Sequence, residues 1–188
     1  MPSATDFTIT APPATDIWRK PNHNVFSAST YTSTDFTIPL YKFSSARVTF
    51  SGTWTEKFDQ AGMLLTIKDA AHPDARAGKE TPWIKAGLEY FNGAPRVSFV
   101  GCDRFADWSV HDLKGDGGHV TLELKREEGA LWAYEIVGEK WYPFRECTWL
   151  WEGEERKTLS LGAYCCRPAN VGGDLEVKFK EIKLNVSE

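Results

Sequence analysis

The sequence has little of what marks several large functional classes. Cysteine is scarce: Cys102, Cys147 and the adjacent Cys165-Cys166 are the 4 present in 188 residues. Their spacing forms neither a CxxC metal knuckle nor a disulfide framework, so reduced thiols in an intracellular protein are expected. No apolar run approaches the ~20 residues a membrane helix needs, and no membrane partner is expected. Lys and Arg form no run that could track phosphates, and a net charge of −4 opposes a nucleic-acid partner. The GxSxG turn of a serine hydrolase is missing. A phosphate-cradling glycine loop is missing too, because Gly115-Asp116-Gly117-Gly118 reads as a turn. The histidines, His23, His72, His111 and His119, all fall in segments read as loops, with no metal-ligand spacing among them. Neither a metal nor a cofactor is therefore expected. Met1 to Asp6 carry neither a charged n-region nor an apolar h-region, so a cytoplasmic location is expected. Asn185-Val186-Ser187 matches a glycosylation acceptor that is idle without a secretory route.

Aromatic residues are abundant instead, with 8 Trp, 11 Phe and 6 Tyr. That is more Trp than a core of this size requires, so part of the set is expected to face a ligand or partner. The length fits one domain, taken as residues 1–188. Helical periodicity, tandem repeats and low-complexity tracts are absent, and short β-prone runs separated by Gly, Pro, Asp and Asn predict an all-β sandwich. Strands are expected at Phe36–Ile38, Ala46–Thr53, Ala61–Lys68, Trp83–Phe91, Arg96–Gly101, Val120–Arg126, Leu131–Val137, Arg145–Trp151, Thr158–Tyr164 and Leu175–Leu184. The opening stretch through Pro12-Pro13 and Pro21 reads as an extended lead-in. The long Asp69–Pro82 connection reads as a flap beside a site.

Alternation assigns faces, because residues i and i+2 of a strand share one. In the run from Trp83 to Phe91, Ile84, Ala86, Leu88 and Tyr90 form a core face, while Trp83, Lys85, Gly87 and Glu89 form the other. Ala61, Met63 and Leu65 point inward, leaving Gln60 and Gly62 on the polar side. Val97 and Phe99 are inward and Ser98 outward; Leu161, Ala163 and Cys165 are inward and Tyr164 outward. The outer face thus combines aromatic rings, Lys, Glu, Gln and Gly, a composition suited to a binding groove or, alternatively, to a dimer contact.

Three segments, Asp59-Gln60-Ala61-Gly62, Trp83-Ile84-Lys85-Ala86-Gly87-Leu88-Glu89 and Asp107-Trp108-Ser109, carry a family likeness. With Trp18-Arg19-Lys20-Pro21, Leu122 to Arg126, Arg145-Glu146, Gly162-Ala163-Tyr164 and Arg167-Pro168, they span nearly the whole chain in order. The chain resembles the concanavalin-A-like family of unknown function that includes the yeast regulation of enolase protein. Two departures are the Cys165-Cys166 pair, where small residues are expected, and the long Asp69–Pro82 loop. The resemblance implies an antiparallel two-sheet jelly-roll sandwich with a concave face. It implies little chemistry, since fold is not function.

Glycoside hydrolysis needs two carboxylates flanking one bond, and Glu89 has no acidic neighbour on its own strand; Asp107 would have to approach from elsewhere. Two readings lead. One is capture of a small molecule or glycan-like ligand, with Trp83, Trp108 and Tyr164 as aromatic platforms. Gln60, Lys85, Glu89, Ser98 and Arg145 are then polar anchors, with Asp107 beside them. The alternative is a cofactor-independent enzyme, a cyclase or isomerase acting on an apolar natural product, in which a Lys85–Glu89 ion pair poises one partner for proton transfer. An interaction module with a protein partner is a third reading.

Overall fold

The computed structural model describes residues 2–187. In chain order the strands are β1 (Ser3–Ala11), β2 (Ile17–Lys20), β3 (His23–Phe26), β4 (Ser29–Pro39), β5 (Phe43–Gly52), β6 (Gln60–Asp69) and β7 (Trp83–Phe91). They continue as β8 (Ala94–Cys102), β9 (Ala106–Asp112), β10 (Val120–Glu127), β11 (Ala130–Val137), β12 (Lys140–Cys147), β13 (Lys157–Cys166) and β14 (Leu175–Val186). Two antiparallel 6-stranded sheets stack, one in the order β1-β14-β5-β10-β11-β12 and the other in the order β4-β13-β6-β7-β8-β9. The chain is therefore an all-β jelly-roll sandwich.

Alternation explains the core. Met63 and Leu65 of β6, Ile84, Ala86 and Leu88 of β7, Val97 and Phe99 of β8, and Leu161 and Ala163 of β13 all face inward. They meet Val48 and Phe50 of β5, Leu122 and Leu124 of β10, and Val177 and Phe179 of β14. Each Val, Leu, Ile, Met or Phe side chain among them contributes about 1.5–3 kcal/mol on leaving water. Cys165 joins this core, while the neighbouring Cys166 lies on the opposite face of β13.

The structure corrects several local expectations. The opening stretch is not a lead-in: it supplies β1, which pairs with β14, and the two-stranded β2–β3 ribbon. Pro21-Asn22 forms the ribbon's turn, with Asn22 at φ 63°. His23 and His111 lie in strands rather than loops. β12 begins at Lys140 and ends at Cys147, so the Trp149–Trp151 stretch is a turn. A register shift between Ala133 and Tyr134 absorbs one extra residue on β12, which the alternation of that strand had concealed.

Candidate functional site

The outer face of the β13-β6-β7-β8 sheet is built on a pair of glycines. Gly62 of β6 and Gly87 of β7 stand opposite each other. A Cβ on Gly62 would lie 2.2 Å from the Ala86 carbonyl oxygen, and one on Gly87 would lie 2.0 Å from that of Ala61. The two backbones therefore approach as only glycine allows. Tyr164, opposite Gly62 on β13, lays its ring over this bare patch, and a Gly87 Cβ would stand 3.0 Å from its hydroxyl.

Two polar clusters flank the glycines. Lys85 is 2% exposed, a costly place for an ammonium without partners. Its Nζ donates to the Ile17 carbonyl at 2.9 Å and to Gln60 Oε1, with Asp16 Oδ1 at 3.9 Å. The rings of Tyr164 and Trp83 lie 5.9 and 6.0 Å from it, within cation–π range. Gln60 Nε2 in turn donates to the Phe58 carbonyl at 3.2 Å and to Asp16 Oδ1 at 3.5 Å. Opposite Gln60, Glu89 accepts at Oε2 from Ser98 Oγ at 2.9 Å and from Trp108 Nε1 at 3.0 Å. Burial pushes the Glu89 carboxyl above its ordinary range, outweighing the opposing pull of Lys85 and of the two hydrogen bonds. Both donors converge on Oε2, so among the described residues Oε1 has no hydrogen-bond donor of its own.

Aromatic side chains wall these groups into a pocket of about 310 Å³ lined by Asp16, Trp18, Phe58, Gln60, Lys85, Glu89 and Trp108. Trp18 comes from the β2–β3 ribbon. Trp108, on β9, is wedged edge-on against Phe91 at 5.0 Å and Phe58 at 6.2 Å between ring centroids. Phe58 sits at φ 69°, a left-handed conformation unusual for a bulky residue and therefore held by its surroundings. Its amide donates to the Tyr90 carbonyl at 2.8 Å, and the next residue, Asp59, anchors the turn. Fully buried, it accepts from the Thr55 and Glu56 amides at 3.0 Å each and from Arg167 Nε and Nη2 at 2.8 and 2.7 Å. Arg167 also donates to the Gly173 carbonyl at 2.6 Å. This bidentate pair ties the turn before β6 to the end of β13.

Of the residues chosen from sequence, Gln60, Lys85, Glu89, Ser98 and Trp108 converge here. Trp83 and Tyr164 lie on the chosen face but are each 1% exposed beneath Ile17, so they form the buried floor rather than open platforms. Asp107 and Arg145 do not reach the pocket: they form an ion pair with each other, and the Arg145 guanidinium lies 5.7 Å from the ring of Phe99, a core residue. Among the described residues no ion pair joins Lys85 to Glu89, each having its own partners. The Asp69–Pro82 connection packs on the ribbon and does not line the pocket. Sequence reasoning missed Asp16, Trp18 and Phe58. Trp18 was visible as part of a family-like segment, but nothing local showed that it folds back over β7.

The four cysteines are free and buried. Burial raises the Cys102 and Cys147 thiols to about 11 and Cys165 to about 12, and lifts Cys166 as well, which makes all four poor nucleophiles. Among the described residues no group of three or more His, Cys, Asp or Glu is arranged to hold a metal ion. No helix among them is long and apolar enough to cross a membrane.

Stacked jelly-roll sheets with an aromatic pocket on one outer face define a concanavalin-A-like β-sandwich. Residues 2–187 match the family described as "Protein of unknown function (DUF1349)", and the chain belongs to that family. An uncharacterized protein of Emericella nidulans is 37% identical over 97% of this chain and 88% of its own length. "Regulation of enolase protein 1" of Saccharomyces cerevisiae is 26% identical over 90% of this chain and 76% of its own. Among solved structures, one titled as a functionally unknown protein from Saccharomyces cerevisiae superposes with a TM-score of 0.75 at 22% identity, covering 98% of this chain and 92% of that one. Two more distant structures share the fold. Alginate lyase A1-II′ of polysaccharide lyase family 7 has a TM-score of 0.56 at 10% identity, over 97% of this chain and 80% of that one. Xylan β-1,4-xylosidase from Bacillus halodurans has a TM-score of 0.55 at 8% identity, over 86% of this chain and 30% of that one.

Proposed function

We propose that this protein binds a small ring-bearing ligand, sugar-like or natural-product-like, between Trp18 and Trp108. The observation that carries this reading is the state of Glu89: its Oε2 is fixed by Ser98 and Trp108 while Oε1 is left without a donor under aromatic walls. A fixed acceptor beneath apolar rings is how pockets orient a ligand whose contact area is mostly apolar. Lys85, spent on the Ile17 carbonyl and Gln60, acts as a brace for the ribbon. Glycan-acting proteins among the structural neighbours support a sugar ring as one such ligand. Four buried free thiols support a reducing, cytoplasmic setting.

Para-nitrophenyl β-xyloside, which joins an aryl ring to a sugar ring, is the probe. Calorimetry is expected to give saturable binding that Trp108→Ala abolishes and Glu89→Gln weakens. Binding that neither substitution alters overturns the reading.

A second reading, a cofactor-independent acid/base enzyme, is favoured by the raised pKa of Glu89 and by a second carboxylate, Asp16, lining the same pocket. Here Glu89 delivers or receives the proton at Oε1. Its signature is turnover by the wild type that Glu89→Gln abolishes while the variant keeps its ligand; binding without any turnover in the wild type marks a binder.

A further inference from the structure

The β2–β3 ribbon covers the part of the concave sheet next to the pocket. Ile17 is fully buried in one cluster with Leu64, Trp83, Val100, Cys102, Tyr164 and Cys166, and Trp18 and Phe26 pack against that cluster. Those six residues come from β6, β7, β8 and β13, so the ribbon lies across four neighbouring strands. It is also fastened. Lys85 holds the Ile17 carbonyl at 2.9 Å from below. Arg19 Nη2 donates to the Gly78 and Thr81 carbonyls at 2.8 Å each, and Asn24 Nδ2 donates to the Lys79 carbonyl at 2.7 Å. Phe26 fills the space over Gly78, where a Cβ would lie 2.2 Å from its ring.

The segment leading into the ribbon closes a second side. The Thr15 amide donates to the Arg167 carbonyl at 3.1 Å and the Ala14 amide to the Ala169 carbonyl at 3.2 Å, so residues 14–17 run along the end of β13. A polymer lying across the strands would have to pass over Tyr164 and Cys166 beyond Gln60, and one running along them would have to pass over Trp83 and Val100 beyond Lys85. All four are covered.

We propose that the ribbon makes the site a blind pocket that accepts a single ring, or the terminal ring of a chain, and excludes the interior of a polymer. This rests on the ring-binding reading above and adds the size class of the ligand. Asp16 and Trp18 then act as specificity-determining residues, because they stand where a preceding ring of a chain would lie.

Saturation-transfer NMR on the full chain tests it with para-nitrophenyl β-xyloside, xylotetraose and soluble xylan at equal ring concentration. The single-ring probe and the end rings of xylotetraose are expected to take up saturation several-fold more strongly than interior rings, and xylan hardly at all. Trp18→Ala, which thins the ribbon wall and leaves Ile17 in place, is expected to narrow that difference. Interior rings saturated as strongly as end rings in the wild type overturn the blind-pocket inference while leaving ring binding intact. Transfer to none of the three probes, or transfer that Trp108→Ala does not reduce, overturns the ring-binding reading on which it rests.

Discussion

Trp108 and Glu89 are joined by one hydrogen bond, indole Nε1 to carboxylate Oε2 at 3.0 Å, and that bond links the aromatic wall of the pocket to its floor. The ring is gripped from behind by Phe58 and Phe91, so its N–H direction is set by packing. Removing the donor while keeping a ring separates these roles. In Trp108→Phe the ionised form of Glu89 loses a charge-assisted hydrogen bond, an interaction worth about 1.5–3 kcal/mol. The Glu89 pKa is therefore expected to rise further, read from the carboxyl resonance of isotope-labelled glutamate. An unchanged midpoint contradicts the contact.

Glu89 also predicts a pH dependence of stability. Burial holds its folded pKa above the ordinary 4.5, so the folded state favours the protonated acid. Its favourable contribution is complete below about pH 4.5 and is lost as the pH climbs through the raised value. Glu89→Gln cannot ionise and escapes that loss. Urea unfolding of both proteins across this window is expected to show the variant gaining on the wild type as pH rises, then a constant gap. A variant that loses ground to the wild type as the pH rises has the wrong sign for a buried carboxyl.

The Asp59–Arg167 pair holds the turn that presents Phe58. Replacing Arg167 with Met leaves the Asp59 carboxylate buried without its cation, a change that typically costs about 3–5 kcal/mol. Chemical denaturation is expected to show that loss, together with faster amide exchange at Thr55 and Glu56. A loss under about 1 kcal/mol, the scale of an exposed pair, would mean that the pair is solvated.

The glycine floor makes a sharper steric claim. Gly87→Ala drives a Cβ to within 2.0 Å of the Ala61 carbonyl, and relief by backbone shift costs about 1–3 kcal/mol. At Gly173 a Cβ meets nothing within 4 Å, so Gly173→Ala is expected to stay within about 0.5 kcal/mol of the wild type. Equal melting temperatures for the two variants contradict the close approach of β6 and β7.

These residues also show where sequence reading succeeds and where it stops. The faces of β6, β7, β8 and β13 follow from period-two alternation, so Gln60, Lys85, Glu89 and Ser98 could be placed on one surface before any coordinates, while Trp108 on β9 stood out only through the family-like Asp107-Trp108-Ser109 segment. Alternation says which face a side chain takes and nothing about what later covers that face. Trp83 and Tyr164 therefore read as open platforms, although the β2–β3 ribbon buries them. The ribbon itself was hidden because its strands are four residues long, partly exposed and bounded by prolines and Asn22, a pattern that reads as coil. Arg145 read as a polar anchor and Asp107 as a carboxylate beside it, and only the stacking of the two sheets shows that they satisfy each other. Phe58 was beyond reach because its positive φ arises in a turn whose anchor, Asp59, meets a guanidinium 108 residues away.

The central claim is that ligand enters between Trp18 and Trp108 and nowhere else on this aromatic-rich surface. Trp132 and Trp141, near Tyr134 on the other sheet, provide an internal control, and Trp141 is 41% exposed. The most direct measurement is an NMR titration of the indole N–H resonances of isotope-labelled tryptophan with para-nitrophenyl β-xyloside. Saturable shifts at Trp18 and Trp108, with Trp132 and Trp141 unmoved, are the predicted result. Shifts confined to Trp132 and Trp141, or no saturable shift at Trp18 and Trp108, would contradict it.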